Sequence, residues 1–238
     1  MNAQVIPADM RREFDEQGYV VCPAVLSAVE LAVINRELDQ HYGLTETHNP
    51  HAPKPDKFGC EVTYWNPVVE QNRAFLDLLQ HPWMRQLTTA CIGDGYVDGA
   101  DHTLVMLSQV RGKGQAWHQD CPADNLDHFN VNRLFYTRDV ALEDGAIVLV
   151  PGSQRRGRIP RGDQQEAMAG EIILTPKAGT LVFLNGLVFH RVTPNVSARP
   201  RISVNFRAYK QGVPTHLCDI GVFRNGAMDF RQKQEVDK

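Results

Sequence analysis

No apolar run in this chain approaches the roughly 18 residues that suggest a membrane span. The N-terminal stretch MNAQVIPADMRREFDEQGYV carries early charge and lacks the apolar core of a secretory signal, so a cytoplasmic location is expected. Cysteine is scarce: Cys22, Cys60, Cys91, Cys121 and Cys218 are widely spaced, odd in number and without a C-x-x-C pair. That spacing excludes a disulfide framework and a tetrathiolate zinc site, and it fits mostly buried thiols in a reducing compartment. Neither sign of charge dominates, with 25 Lys and Arg against 28 Asp and Glu. The basic footprint of a nucleic-acid binder is missing, and no obligate protein partner is indicated. With 238 residues, 42% of them apolar, the chain is long enough to fold as one domain.

Its texture changes part-way along. Residues 1–100 read as a helix-rich support region. Ser27 and Glu30 form a capping box ahead of a helix whose Val29, Leu31, Val33, Ile34 and Leu38 supply an apolar stripe. A second helix is expected over Val68 to Leu79, interrupted near Pro82. The Pro-rich, polar segment 48–59 reads as a long loop, either a surface connector or one of the kind that forms lids. Residues 101–212 instead hold short β-rich runs separated by Gly, Pro and Asp: TLVMLSQV, NRLFYTRDVAL, AIVLVPGS, EIILTP, TLVFLNGLVFH and RISVNFRAY. That alternation of strand and turn indicates a β-sandwich or jelly-roll barrel, mainly β, flanked by the N-terminal helices. Residues 213–238 form a C-terminal extension. The RRGRIPRG stretch at 155–162 is either a solvated turn or a rim attracting an anionic substrate.

Chemistry concentrates at Trp117-His118-Gln119-Asp120. In an extended segment His118 and Asp120 share one face and Gln119 takes the other. An imidazole and a carboxylate side by side supply two ligands to a divalent metal. The candidate third is His190, ending the apolar run TLVFLNGLVFH. Two histidines and a carboxylate on one face of an octahedron leave three positions open, the pattern of non-haem Fe(II) oxygenases. An H-x-D alone is a weak signal, since chance produces it often. Eleven residues after His190 comes Arg201, and strict alternation follows. Ile202, Val204, Phe206 and Ala208 form an apolar face; Arg201, Ser203, Asn205 and Arg207 form a polar one. If the apolar face packs under helices, the polar face points into the barrel. A buried guanidinium there matches a carboxylate bidentately, and Ser203 can add a hydrogen bond to the same anion. Asn125, His128, Asn132 and Arg133 follow the metal motif closely enough to be pocket candidates.

Four separated stretches, FDEQGYVVCPAVLSAVEL, WHQD, DVALEDGAIVLVPGSQRRG and HRVTPNVSARPR, together resemble the phytanoyl-CoA dioxygenase family of Fe(II)- and 2-oxoglutarate-dependent oxygenases. The resemblance implies a double-stranded β-helix (jelly-roll, cupin-like) core. It implies His118, Asp120 and His190 as iron ligands, Arg201 and Ser203 as the grip on the distal carboxylate of 2-oxoglutarate, and O2 as co-reactant. Many members carry a small hydroxylated residue two positions after the distal histidine. Val192 stands there, so that hydrogen bond comes from Thr193 or is missing; Ser108 and Gln109, before the H-x-D, are further candidates to line the site. The retained Asp120 favours hydroxylation, desaturation or ring closure over halogenation, where related enzymes have Ala or Gly. The expected substrate is a small metabolite or biosynthetic intermediate, oxidised at an unactivated C–H bond with release of succinate and CO2. The alternatives are a cupin-like metalloenzyme that does not use 2-oxoglutarate and a non-catalytic jelly-roll binding or sensor protein.

Overall fold

The computed structural model describes residues 8–44, 62–108, 112–160, 166–214, 221–224 and 227–230. Segment 48–59, Gln109, Cys60 and Cys218 lie outside the described residues.

Local sequence sets the helices. The first, α1 (Ala8–Gln17), leads into β1 (Tyr19–Cys22), and α2 (Ala28–Tyr42) starts at the expected box. Ser27 Oγ accepts from Glu30 N at 3.3 Å, and Glu30 Oε2 accepts from Ser27 N at 2.8 Å. Gly43, in the left-handed region, ends the helix. The buried stripe of α2 is narrower than its sequence suggests. Ile34 and Leu38 are buried and Leu31 packs against them, whereas Val29 and Val33 are exposed. Positions 31, 34 and 38 follow the 3.6-residue period; 29 and 33 fall on the opposite side of the helix. The second expected helix also differs. After β2 (Val62–Trp65), residues 67–71 form a turn, and α3 (Arg73–Leu79) starts late because Asn72 caps it, its side chain accepting from Ala74 N at 3.1 Å. Pro82 then opens a further helix, α4 (Pro82–Ile92), since proline is suited to a first helical position.

The strands form two antiparallel sheets of a jelly roll. The larger joins β1, β2, β3 (Val97–Ser108), β5 (Asn130–Tyr136), β8 (Thr180–Asn185) and β10 (Arg201–Tyr209) in the order β1-β8-β5-β10-β3-β2. The smaller joins β4 (Gln115–His118), β6 (Ile147–Leu149), β7 (Ile172–Leu174) and β9 (His190–Val192) in the order β4-β9-β6-β7. A separate pair, β11 (Gly221–Arg224) and β12 (Ala227–Phe230), follows. The first hundred residues thus supply helices and also β1 and β2 of the larger sheet. Their four-residue length conceals the period-two signal beside longer helical stretches.

Alternation along β10 decides which side chains enter the barrel. Ile202, Val204, Phe206 and Ala208 pack with Ile34, Leu38, Phe75, Met84 and Leu87 of the helices. Arg201, Ser203, Asn205 and Arg207 face the interior, and all four are buried. Across from them Leu134, Tyr136, Val182 and Leu184 meet Ile147 and Leu149 of the smaller sheet. The site therefore sits between the sheets, polar on β10 and apolar on the walls. No helix among the described residues is long and apolar enough to cross a membrane.

Candidate metal centre

His118 closes β4 and His190 opens β9, and the two are direct cross-strand partners. Their ring centroids lie 4.1 Å apart. Asp120 follows just beyond β4, where its N–H donates to Gly186 O at 2.7 Å. Gly186 has to be small: a Cβ there would lie 2.3 Å from Asn130 Oδ1. The Asp120 carboxylate oxygens stand 3.8 Å from His118 Nε2 and 3.3 Å from His190 Nε2. Ligand atoms of all three lie within 4.8 Å of one another, and all three residues are buried. Gln119 points the other way, as alternation requires. Its amide donates to Leu187 O at 2.9 Å and Gly157 O at 3.1 Å, and its carbonyl accepts from Ile159 N at 2.9 Å. The motif is thereby tied to the turn after β8 and to the loop after the Pro-Gly-Ser turn.

The imidazoles are oriented by their other nitrogens. His118 Nδ1 sits 2.7 Å from Ala116 O, and His190 Nδ1 sits 2.8 Å from Val188 O. A carbonyl can only accept, so each Nδ1 carries a proton and Nε2 is the nitrogen turned toward Asp120, the one that ligates a metal when the ring is neutral. This is the support that metal-binding histidines require. The carboxylate is held on both oxygens. Arg207 Nη2 lies 2.7 Å from Oδ1, and Asn132 Nδ2 donates to Oδ2. Burial alone would raise the Asp120 pKa; Arg207, together with His190 and His118 beside the carboxylate, outweighs it and holds the carboxyl well below the usual range. Two neutral imidazoles and an ionised carboxylate are the right donor set for a divalent metal.

Deeper along β10, Arg201 is buried, with Nη2 donating to Ser108 Oγ at 2.9 Å. The Tyr136 hydroxyl shares a hydrogen bond with the same guanidinium, and burial pushes the Tyr136 pKa up. Arg201 Nε and Ser203 Oγ are buried without a hydrogen-bond partner among the described residues. A buried cation with an unused donor beside an unused hydroxyl fits an entering carboxylate.

Other expected residues lie elsewhere. Thr193 is half-buried, and its hydroxyl donates to Ala146 O at 3.3 Å. Arg133 points away from the barrel interior, because it alternates with Asn132. Asn125 is exposed and His128 half-buried in the loop after the motif. In the arginine stretch, Arg155 donates to Asp15 O and Arg158 pairs with Asp124, so both tie the loop to neighbouring segments. Tyr136, absent from the candidates read from sequence, lies on the Asn132–Leu134–Tyr136 face of β5, which period-two alternation makes legible. Cys22, Cys91 and Cys121 are free and buried, and burial pushes each thiol up to about 12.

The family model for phytanoyl-CoA dioxygenase matches residues 14–203. The chain belongs to the phytanoyl-CoA dioxygenase family. That makes it an Fe(II)- and 2-oxoglutarate-dependent oxygenase-type enzyme with the jelly-roll core of that family. Among solved structures it is similar to SnoN, an α-ketoglutarate-dependent epimerase from nogalamycin biosynthesis, at 19% identity and TM-score 0.67, covering 93% of this chain and 91% of that one. HygX from Streptomyces hygroscopicus, solved with nickel and 2-oxoglutarate, aligns at 14% identity and TM-score 0.69 over 87% of this chain and 88% of that one. EvdO2 from Micromonospora carbonacea var. aurantiaca aligns at 18% identity and TM-score 0.68 over 87% and 92%. No curated protein matches.

Proposed function

We propose that the chain oxidises an unactivated C–H bond of a small metabolite or biosynthetic intermediate, most simply by hydroxylation. In this reading His118, Asp120 and His190 hold Fe(II), and Arg201 with Ser203 and Tyr136 grips the distal carboxylate of 2-oxoglutarate. Fe(II) with 2-oxoglutarate and O2 supplies the oxidant, with succinate and CO2 as coproducts. The observation that carries the reading is the pairing of two features on one barrel interior. Two Nε2 atoms and a carboxylate converge at one place, and a buried arginine with an unused donor waits farther along β10.

The protein's part is placement and exclusion. Backbone carbonyls fix the imidazoles, Arg207 and Asn132 fix the carboxylate, and Leu134, Val182, Leu184, Ile147 and Leu149 keep water from the interior. Thr193 and Gln109 remain candidates for further cosubstrate contacts; the Thr193 hydroxyl would have to leave Ala146 O to reach one. SnoN was solved with nogalamycin RO and HygX with hygromycin B, which supports a small-molecule substrate here. Because SnoN is an epimerase and SnoK a carbocyclase, epimerisation and ring closure stand beside hydroxylation as outcomes of C–H oxidation on this fold.

Anaerobic addition of Fe(II) and then 2-oxoglutarate tests the assignment. A weak visible charge-transfer band is expected in the wild type and should be lost in His190→Ala. Iron binding without the band would move the protein to the oxoglutarate-independent alternative. No iron binding would favour a binding protein.

A further inference from the structure

Consecutive residues of β5 grip the same short segment of β10 from opposite faces of the larger sheet. On the barrel side, Asn132 Oδ1 accepts from Asn205 Nδ2 at 2.8 Å and from Arg207 Nε at 3.0 Å, while its Nδ2 donates to Asp120. The polarity of this network is forced. A guanidinium only donates and a carboxylate only accepts, so the amide of Asn132 has one possible orientation between them. On the helix side, Arg133 Nε donates to Phe206 O at 3.0 Å and Nη2 to Arg207 O at 3.3 Å. Arg133 is fully buried, and its charge is met by Asp98 Oδ2 at 2.9 Å.

The grip falls where β10 loses its regular neighbour. Phe206 pairs with Thr103 of β3, but Ala208 pairs with Asp98, so two steps along β10 face five along β3. Arg207 lies at that irregularity, and there Arg133 supplies donors to the carbonyls of Phe206 and Arg207. Asp98 belongs to the same irregular stretch and holds Arg133 in turn.

We propose that Asp98 and Arg133, on the outer face of the sheet, act with Asn132 as positioning residues for the metal centre: they fix the 205–207 segment so that Arg207 meets one oxygen of Asp120 while Asn132 meets the other. With both oxygens engaged, the Asp120 carboxylate is held in one orientation beside His118 and His190, where it would serve a metal ligated by the three. This rests on the metal-centre reading above and adds that metal affinity depends on an ion pair across the sheet from the site.

The test is Co(II) binding to the purified full chain, read by titration and by the visible spectrum of the bound ion, with melting temperatures measured in parallel. Asn132→Ala is expected to weaken Co(II) binding about 10–100-fold, and Asp98→Asn roughly threefold to tenfold, each with an altered spectrum. Asp98 borders an outer cavity of about 700 Å3 with Arg85, Asp94 and Tyr96, so its isosteric replacement opens no buried void. Val105→Ala, on neighbouring β3 with its side chain in the helix-side core and no part in these hydrogen bonds, is the control. It should lower the melting temperature while changing Co(II) affinity less than twofold. Wild-type affinity and spectrum in Asp98→Asn and Asn132→Ala would overturn the proposal, as would an equal loss in Val105→Ala. If Asn132→Ala does not fold, Asp98→Asn decides. Failure of the wild type to bind Co(II) would instead overturn the metal-centre reading itself, and the proposal with it.

Discussion

Replacing Arg201 by Met separates a ligand-binding role from a structural one. Arg201 is a buried cation that no carboxylate touches among the described residues; burial lowers its pKa, and Asp144 acts on it only at longer range. Its Nη2 is already engaged by Ser108, leaving Nε unused beside the Ser203 hydroxyl. A hydrogen bond to a charged partner contributes about 1.5–3 kcal/mol. Losing one such bond and the guanidinium charge should cost about 2–4 kcal/mol of 2-oxoglutarate binding, or roughly 30- to 1000-fold in Kd. Removing a buried charge that no carboxylate touches relieves its desolvation cost, which offsets the loss of its hydrogen bonds to Ser108 and Tyr136. Without ligand, the Met variant should therefore melt within about 3 °C of wild type. At 2-oxoglutarate equal to about 100 times the wild-type Kd, the wild type gains about 2.7 kcal/mol, roughly 5–10 °C, and the variant about 0.1–0.9 kcal/mol, at most about 3 °C. Metal-loaded protein, titrated anaerobically and followed by the visible band and by thermal melting, supplies both numbers. Unchanged 2-oxoglutarate affinity would refute the role of Arg201 and move it to another arginine. A large drop in ligand-free melting temperature would show that Arg201 serves the fold instead.

Three further outcomes are expected. Gly186→Ala should drive a methyl group to 2.3 Å from Asn130 Oδ1, destabilise the fold by about 1–3 kcal/mol, and weaken metal binding by moving the carbonyl that holds Asp120 N; unchanged melting and metal affinity would contradict the close approach. Burial raises the pKa of Asp144, but hydrogen bonds from Arg199 Nε and Nη2, at 3.0 and 2.7 Å, from Ala141 N and from Ser197, with the charge of Arg199, together outweigh it and leave the folded pKa below the ordinary value. Its contribution to stability is therefore present above the ordinary carboxylate range and lost as pH falls through the folded value; the melting gap between wild type and Asp144→Asn should be widest near neutrality and close in acid. Cys22, Cys91 and Cys121, each pushed up to about 12 by burial, should resist iodoacetamide at pH 8 in the native protein and react once it is unfolded, as read by mass spectrometry.

Local chemistry made several parts of this protein readable from sequence. The Ser27–Glu30 box starts a helix because both partners lie within one turn. The alternation from Arg201 to Ala208 fixes two faces of a strand because the side-chain period is two. The same rule puts His118 and Asp120 together and turns Gln119 away. Asn72 and Pro82 moved the helix boundaries through caps that apolar periodicity does not register. Pairing decided the rest. His118 meets His190 across 72 positions because β4 and β9 are neighbours in the smaller sheet, which neither segment specifies alone. The polar face of β10 became an interior because helices cover the other face and a second sheet closes over this one. Tyr136 reaches Arg201 only through the register of β5 against β10, and Asn132 reaches Asp120 only because the segment after β4 of the smaller sheet is brought over β5. The sequence by itself determined which residue types could bind a metal and a carboxylate, and on which face of each strand they stand. Only the tertiary structure decided which faces meet, because contacts between distant segments depend on strand order and register, quantities summed over the whole chain.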